Sequence, residues 1–405
     1  MRYCFYSGYR DLKGGYTTLL LTLIKELYHQ KQEVVLINFA EGLIVDELKK
    51  EKIDIKIIDL DTLNWNKIDQ LFFFTDIFIL TKFEEVYRHL LKINPRVVYF
   101  DINDFICQIS DYKFGIRFPS LGKKLVKSLL AKKSLFFIDD TGVFNLKQHF
   151  LIPVKEPVFL PIPVTVPPEN IYLKRHKLSD DILHLTYIGR SVNWKMMPLK
   201  KILTDCAKST VQKNIHISIV VDDLSAFTKF INIDDYSHAS NLSISVIENM
   251  LPSAINEFLL SSSDLHFAMG TAALDAAKLG VPTILVDYST ADFPDEYKYK
   301  WLFETSGYNL GRNLDKIPPA DGFSIDELLK MIVIDKKILT FFSDHSYKYV
   351  LVKHSVNNIV PELTALCSNA TFRIKDAEKL VPFYYNIHRL LKKITAPFIK
   401  EKAGN

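Results

Sequence analysis

Arg190 and Lys195 are the first side chains here whose types and spacing fit a charged ligand. Tyr187-Ile188-Gly189-Arg190 closes an apolar run that reads as a strand, and Lys195 follows in the next loop. Two cations at a strand end can neutralise a diphosphate. Arginine clamps oxygens bidentately, and lysine adds a point charge. A pair of solvated surface cations is the plainer account of the same residues. The second constellation is Ser263 to Asp287. Leu265 to Ala268 reads as a buried strand, Met269-Gly270-Thr271 as a turn, and Thr271 through Leu279 as an Ala/Leu helix. Gly280 suits a left-handed C-terminal cap, Pro282 stops the helix, and Thr283 to Val286 is a second buried parallel strand. Gly270, Thr271 and Ala272 thus put backbone N–H groups at a helix start beside a strand's carboxyl end, an arrangement that attracts anions. Asp275, one turn in, stands within reach of a sugar hydroxyl. An ordinary βαβ unit with a carboxylate favoured by the helix dipole explains the same stretch.

Other groups are arranged around these two. Gly14-Gly15 separates a strand, Tyr3 to Tyr6, from a helix spanning Tyr16 to Gln30, where backbone can approach a ligand closely. Asp101 and Asp104 follow the strand Val97 to Phe100 and are candidate general bases. Asp139 and Asp140 are rivals, and loop capping accounts for all four. Leu121 to Lys133 carries Lys123, Lys124, Lys127, Lys132 and Lys133 with no acid, and Leu125, Leu129 and Leu130 give it apolar contacts. It reads either as a membrane-surface helix or as a solvated one. Arg389, Lys392, Lys393 and Lys400 extend the basic character.

The elements that hold these groups alternate strand and helix. Tyr3–Tyr6, Val34–Ile37, Lys56–Leu60, Ile77–Leu80, Val97–Phe100 and Leu135–Ile138 form one series of strands. Leu183–Tyr187, Ile215–Val221, Leu242–Ile247, Leu265–Ala268 and Thr283–Val286 form another. Such a rhythm means parallel sheets with helices on both faces. Between the series, residues 152–168 hold six prolines, which neither helix nor central strand tolerates. The expected division is 1–160, an N-terminal Rossmann-like domain, and 161–375, a C-terminal one. Residues 376–405 are then a C-terminal helix packing back on the first domain. A polar cleft is expected between the strand ends of the two domains. Ser289 to Gly311 reads as an irregular loop over it.

Composition narrows the class. The 405 residues exceed one ordinary core, and 48% hydrophobic with 24% charged residues is typical of a soluble globular chain. A net charge of +4 is too small and too mixed for a nucleic-acid surface. Cys4, Cys107, Cys206 and Cys367 form no CxxC pair, so a zinc or disulfide framework is not expected and a reducing compartment suits them. The first residues read as a strand with no signal peptide, and no apolar run is long enough to span a membrane.

GR-SVNW-K resembles the GR-xxxx-K signature that opens the second domain of retaining GT-B glycosyltransferases of the family-4-like group. MGTAALDAAKLGVPTILVD is similar to that group's later EGxGxxxLEAxxxGxPVV signature, and Gly14-Gly15 falls at its first-domain glycine loop. The resemblance implies two Rossmann-like domains facing across a cleft, and transfer of a sugar from a nucleotide-diphospho-sugar without metal or other cofactor. It implies that Arg190 and Lys195 hold the donor pyrophosphate and stabilise the leaving nucleoside diphosphate. Gly189 opens that turn, and Gly270, Thr271 and Ala272 offer amides to a phosphate. Asp275 meets the ribose, residues Val246 to Leu251 meet the base, and Gly14 and Gly15 face the pyrophosphate. Phe267 stands where the group has its first glutamate, Asp101 and Asp104 where it often has a histidine, and Val221-Asp222-Asp223 where it has a glycine-rich turn. Asp59-Leu60-Asp61 is a D-x-D, the metal signature of the other glycosyltransferase fold, outside that fold's context.

The expectation is a glycosyltransferase of bacterial surface-polysaccharide or lipid-linked glycan assembly. It would be cytoplasmic, peripheral at the membrane's inner face, and without nucleic-acid partners. The motifs favour retention, whereas a carboxylate base would suit inversion. A nucleotide-sugar epimerase on the same scaffold, or a non-catalytic binding subunit, are the rival readings.

Overall fold

The computed structural model describes residues 1–12, 14–81, 86–101, 119–168, 171, 181–316, 321–334 and 336–380. The chain divides into two compact units, Met1–Leu160 with Ile359–Asn405, and Pro161–Asn358. The first break falls in the proline-rich stretch. The chain re-enters the first unit at Ile359, earlier than the 376 expected from the sequence.

The first unit runs β1 (Arg2–Tyr6), α1 (Gly15–His29), β2 (Glu33–Asn38), α2 (Leu43–Lys50), β3 (Lys56–Asp59), β4 (Ile77–Leu80), α3 (Tyr87–Leu90), β5 (Arg96–Asp101), α4 (Pro119–Ala131), β6 (Leu135–Phe137) and α5 (Asp140–Phe150). Its sheet has the order β3-β2-β1-β4-β5-β6 with every pair parallel. Strands such as β4, Ile-Phe-Ile-Leu, are buried on both faces, which parallel pairing under helices demands. α1 buries Leu20, Leu23, Ile24 and Leu27, one face of a 3.6-residue period.

The second unit runs β7 (Ile182–Ile188), α6 (Asn193–Ala207), β8 (Asn214–Val221), α7 (Leu224–Phe227), β9 (Leu242–Glu248), α8 (Pro252–Ser262), β10 (Leu265–Ala268), α9 (Thr271–Ala277), β11 (Thr283–Leu285), β12 (Lys300–Trp301), α10 (Ile325–Ile334) and α11 (Lys336–Lys353). The order is β12-β11-β10-β7-β8-β9, and only β11–β12 is antiparallel. Strand order reverses between β7 and β10 here, and between β1 and β4 in the first unit. In open α/β sheets such switch points leave a crevice at the strand carboxyl ends.

α12 (Val356–Asn369) and α13 (Ile374–Leu380) complete the described chain. Phe372 O accepts from Val97 N at 2.9 Å, and Phe372, Ile374 and Ala377 join the first unit's core. Of the C-terminal helix expected over 376–405, residues 381–405, with Arg389, Lys392, Lys393 and Lys400, lie outside the described residues.

Candidate functional site

The switch point of the second unit brings the two sequence constellations to one rim. Tyr187 pairs with Phe267 and with Ile219, and Phe267 with Ile284. Three residues further along each strand, Arg190, Gly270, Asp222 and Asp287 stand level. Neighbouring strands lie about 4.8 Å apart, so Arg190 sits between Gly270 and Asp222.

Lys195 lies in the first turn of α6, where the helix dipole disfavours a cation, and no acid accompanies it in that turn. Burial, and secondly the charge of Arg190, lower the Lys195 ammonium to about 8, with Asp222 pulling the other way. The guanidinium of Arg190 lies 6.0 Å and the Lys195 ammonium 5.2 Å from the Trp194 ring centroid, so one indole carries both cations. Two like charges on a helix start, one of them desolvated, make this rim electropositive, and an anion relieves the repulsion.

Local hydrogen bonds hold the loop in place. Ser191 N donates to Asp222 Oδ1 at 2.6 Å, and Ser191 Oγ to Asp223 O at 2.7 Å. Tyr187 Oη donates to Lys195 O at 2.7 Å. Gly189 is required beside it: a Cβ there would stand 2.8 Å from Tyr187 Cε1. Trp194 meets Tyr288 edge-on at 5.5 Å, and Asn193 Nδ2 reaches Thr290 O at 3.1 Å.

On the β10 side, Gly270 takes φ 62°, a left-handed conformation that suits glycine, and a Cβ there would meet open space. Its N–H is not bare: it donates to Leu310 O at 2.7 Å. That removes Gly270 from the amides expected to face a phosphate and leaves Thr271 and Ala272 at the start of α9. Gly311 packs on Met269 and Val286, and Arg312 then closes on buried Asp287, Nη2 to Oδ2 at 3.1 Å and backbone N to Oδ1 at 2.8 Å. Asp275 Oδ1 accepts from Lys278 Nζ at 2.6 Å, so in this structure the carboxylate is turned along its own helix. Val246 of β9 pairs with Ile219 of β8 and rests half-buried on the core. Phe267 is buried against Tyr299, edge-on at 5.7 Å, and points into the core rather than to the rim.

In the first unit, Gly14 and Gly15 begin α1 at the carboxyl end of β1, with Gly14 at φ 119° and open space where a Cβ would be. Tyr16 and Thr81 join by their hydroxyls at 3.0 Å across that switch point. Asp101 is 1% exposed, and its Oδ2 lies 3.2 Å from where a Gly142 Cβ would stand. A base must reach its substrate, and in this structure the Asp101 carboxylate is buried. Asp104 lies outside the described residues. Asp139 caps α5 through Thr141 N at 2.9 Å. Asp59 accepts from Ala40 N and Thr62 Oγ1, and Asp61 pairs with Arg10 at 2.6 Å, so the D-x-D is occupied in turn formation. Among the described residues no cluster of His, Cys, Asp and Glu could hold a metal ion. On α4 and its end, Lys124, Lys127 and Lys133 are exposed and Lys123 is half-buried, while Lys132 pairs with Asp376 at 2.7 Å. Among the described residues no helix is long and apolar enough to cross a membrane.

Sequence reasoning missed Trp194, Tyr288 and the Asp287–Arg312 pair. Trp194 stood inside the GR-SVNW-K stretch, but only the fold shows that both cations share its ring.

No protein-family model matches the chain, and no curated protein matches its sequence. Its architecture is nonetheless shared by solved structures. A glycosyltransferase from Rickettsia africae superposes with a TM-score of 0.61 at 12% identity, over 91% of this chain and 98% of that one. HepE from Anabaena, in complex with UDP and glucose, gives 0.56 at 12% identity over 91% and 99%. TarM gives 0.56 at 12% identity over 90% and 98%. These are GT-B glycosyltransferases, and the chain has their fold: α/β, with two doubly wound Rossmann-like units.

Proposed function

We propose that the chain is a metal-independent glycosyltransferase that takes a sugar from a nucleotide-diphospho-sugar. The carrying observation is the second unit's rim, where Arg190 and Lys195 flank Trp194 beside the amides of Thr271 and Ala272. Breaking a glycosyl–phosphate bond develops negative charge on the departing diphosphate and positive charge at the sugar. Fixed cations and helix N-termini aimed at that diphosphate lower the barrier. They supply the charge that a divalent ion supplies elsewhere. Arg190 clamps phosphate oxygens, and Lys195 regains its full charge as the diphosphate arrives. Gly189 lets the chain turn there. Asp275 turns from Lys278 to the ribose, and the backbone beyond Val246 meets the base. UDP is the first nucleotide to test, since HepE was solved with UDP and glucose.

Retention of anomeric configuration follows from the motif resemblance. The acceptor is a glycan or lipid-linked saccharide of surface-polysaccharide assembly, and exposed Lys124, Lys127 and Lys133 favour work at the inner membrane face.

Calorimetry with UDP, followed by a donor-hydrolysis assay across UDP-sugars, tests this. Uptake of UDP that Arg190→Ala weakens at least about tenfold, the worth of one lost charge-assisted contact, is the expected result. Undiminished binding in that variant, or no UDP uptake by the native chain, refutes it. UDP uptake with no turnover of any donor favours a binding subunit.

A further inference from the structure

The first unit carries a second surface at the opposite edge of its sheet from Gly14. All strands there are parallel, so the residues that precede β1, β4, β5 and β6 share the amino edge. At that edge the segment Leu71-Phe72-Phe73-Phe74-Thr75-Asp76 turns into β4. Phe72 is core, yet Phe73 is 57% and Phe74 63% exposed. The turn is rigid: Asp76 N donates to Phe73 O at 3.1 Å, and Phe73 N to Asp76 Oδ2 at 2.7 Å. Asp76 is itself buried and clamped by Arg2, Nε to Oδ1 at 3.0 Å.

The rings stand among cations. Arg2 lies 5.0 Å over Phe73, and Arg373 lies 5.9 Å over Phe74 while donating to Phe74 O and Asn94 O. Exposed Lys375 is tied to the same corner through Asn94, and exposed Lys133 precedes β6 on the same edge. Asp76 is matched by Arg2 and Asp376 by Lys132, and exposed Glu33 lies 3.6 Å from Arg2. Arg2 is shared by Asp76 and Glu33, so the three acids face five cations, and Arg373, Lys375 and Lys133 leave the corner with a surplus of two positive charges.

We propose that Phe73 and Phe74 form an aromatic wedge that docks the first unit on an anionic lipid surface, with the surrounding cations meeting lipid phosphates. The two rings hold roughly 200–300 Å² in water. That is well short of the ~800 Å² per partner of a stable protein interface. It suits two side chains entering the headgroup boundary with electrostatic help. The rigid turn leaves little side-chain freedom to lose on insertion. The wedge faces away from the Gly14 rim, so an acceptor drawn from the same membrane needs reach, as an extended glycan has. This inference needs no part of the nucleotide-sugar reading.

The test is flotation of the full chain with vesicles of phosphatidylcholine alone and of equal phosphatidylcholine and phosphatidylglycerol. The chain should float with the anionic vesicles only. Phe73→Ser with Phe74→Ser should lower that partition at least about tenfold, since binding scales with inserted apolar area. Thermal midpoint and UDP binding should match the native chain. The Phe74→Trp variant should gain an emission that shifts to the blue on anionic vesicles alone. The proposal is overturned by no flotation of the native chain, by equal flotation of the double variant, or by an emission from Phe74→Trp that anionic vesicles leave unshifted. A lowered midpoint in the double variant would mean the chain's own segment covers the rings. A native dimer that the double variant dissolves would make the patch an interface between copies. Either result also overturns the proposal.

Discussion

If the diphosphate binds at the proposed rim, Lys195 should couple that binding to protons. Its ammonium titrates at about 8 in the free chain because it is buried beside Arg190. An arriving diphosphate stabilises the charged form and moves the group back toward its ordinary value of 10.5. At pH 8.5 about three-quarters of the free chains hold a neutral Lys195, so binding takes up about 0.7 proton; at pH 7 it takes up about 0.1. Above pH 8 the UDP dissociation constant should rise by up to about tenfold per pH unit, and the full recovery is worth at most about 3 kcal/mol. Calorimetry at pH 8.5 in two buffers of different ionisation enthalpy reads the proton count directly. Lys195→Arg keeps the charge without titrating, so its uptake should vanish while binding persists and stays flat with pH. Equal proton uptake in Lys195→Arg and the native chain would refute the reasoning, as would no uptake by the native chain at pH 8.5.

Asp222 holds the Lys195 charge up, so Asp222→Asn should move the proton-uptake curve to lower pH by the same calorimetry; an unmoved curve counts against that role. Gly189→Ala drives Tyr187 off Lys195 O and should cost roughly 1–3 kcal/mol in urea unfolding, with weaker UDP binding. Trp194 carries both cations, so UDP should change tryptophan emission in the native chain and not in Trp194→Phe. Burial holds His266 at about 3 and His354 at about 4, below the ordinary 6.5. The unfolded chain therefore binds protons first, and stability present above pH 6.5 is lost as pH falls. Between pH 6.5 and 5 the two rings together should remove about 3 kcal/mol, read by urea unfolding, and His354→Asn should remove less.

The sheets were legible because strands buried on both faces appear as short apolar runs, and β4 and β10 are such runs. The rim was legible because βα turns in a parallel sheet all open at one edge, so Arg190 and Gly270 had to share it. Pairing between distant segments was not legible. Nothing in the turn at Gly270 announces that Leu310 takes its N–H, or that Arg312 closes on Asp287. Asp101 was a candidate base because it ends a strand, yet it is buried, and the small Gly142 at the start of α5 admits it to the interior. The return at Ile359 escaped because α12 continues helical sequence across the boundary without a break in composition.

The most direct measurement is a crystal structure of the chain with UDP bound. The account predicts the diphosphate against the Arg190 guanidinium and Lys195 ammonium, with the Thr271 or Ala272 amide donating to it. UDP held elsewhere, with neither Arg190 nor Lys195 touching its diphosphate, would contradict it.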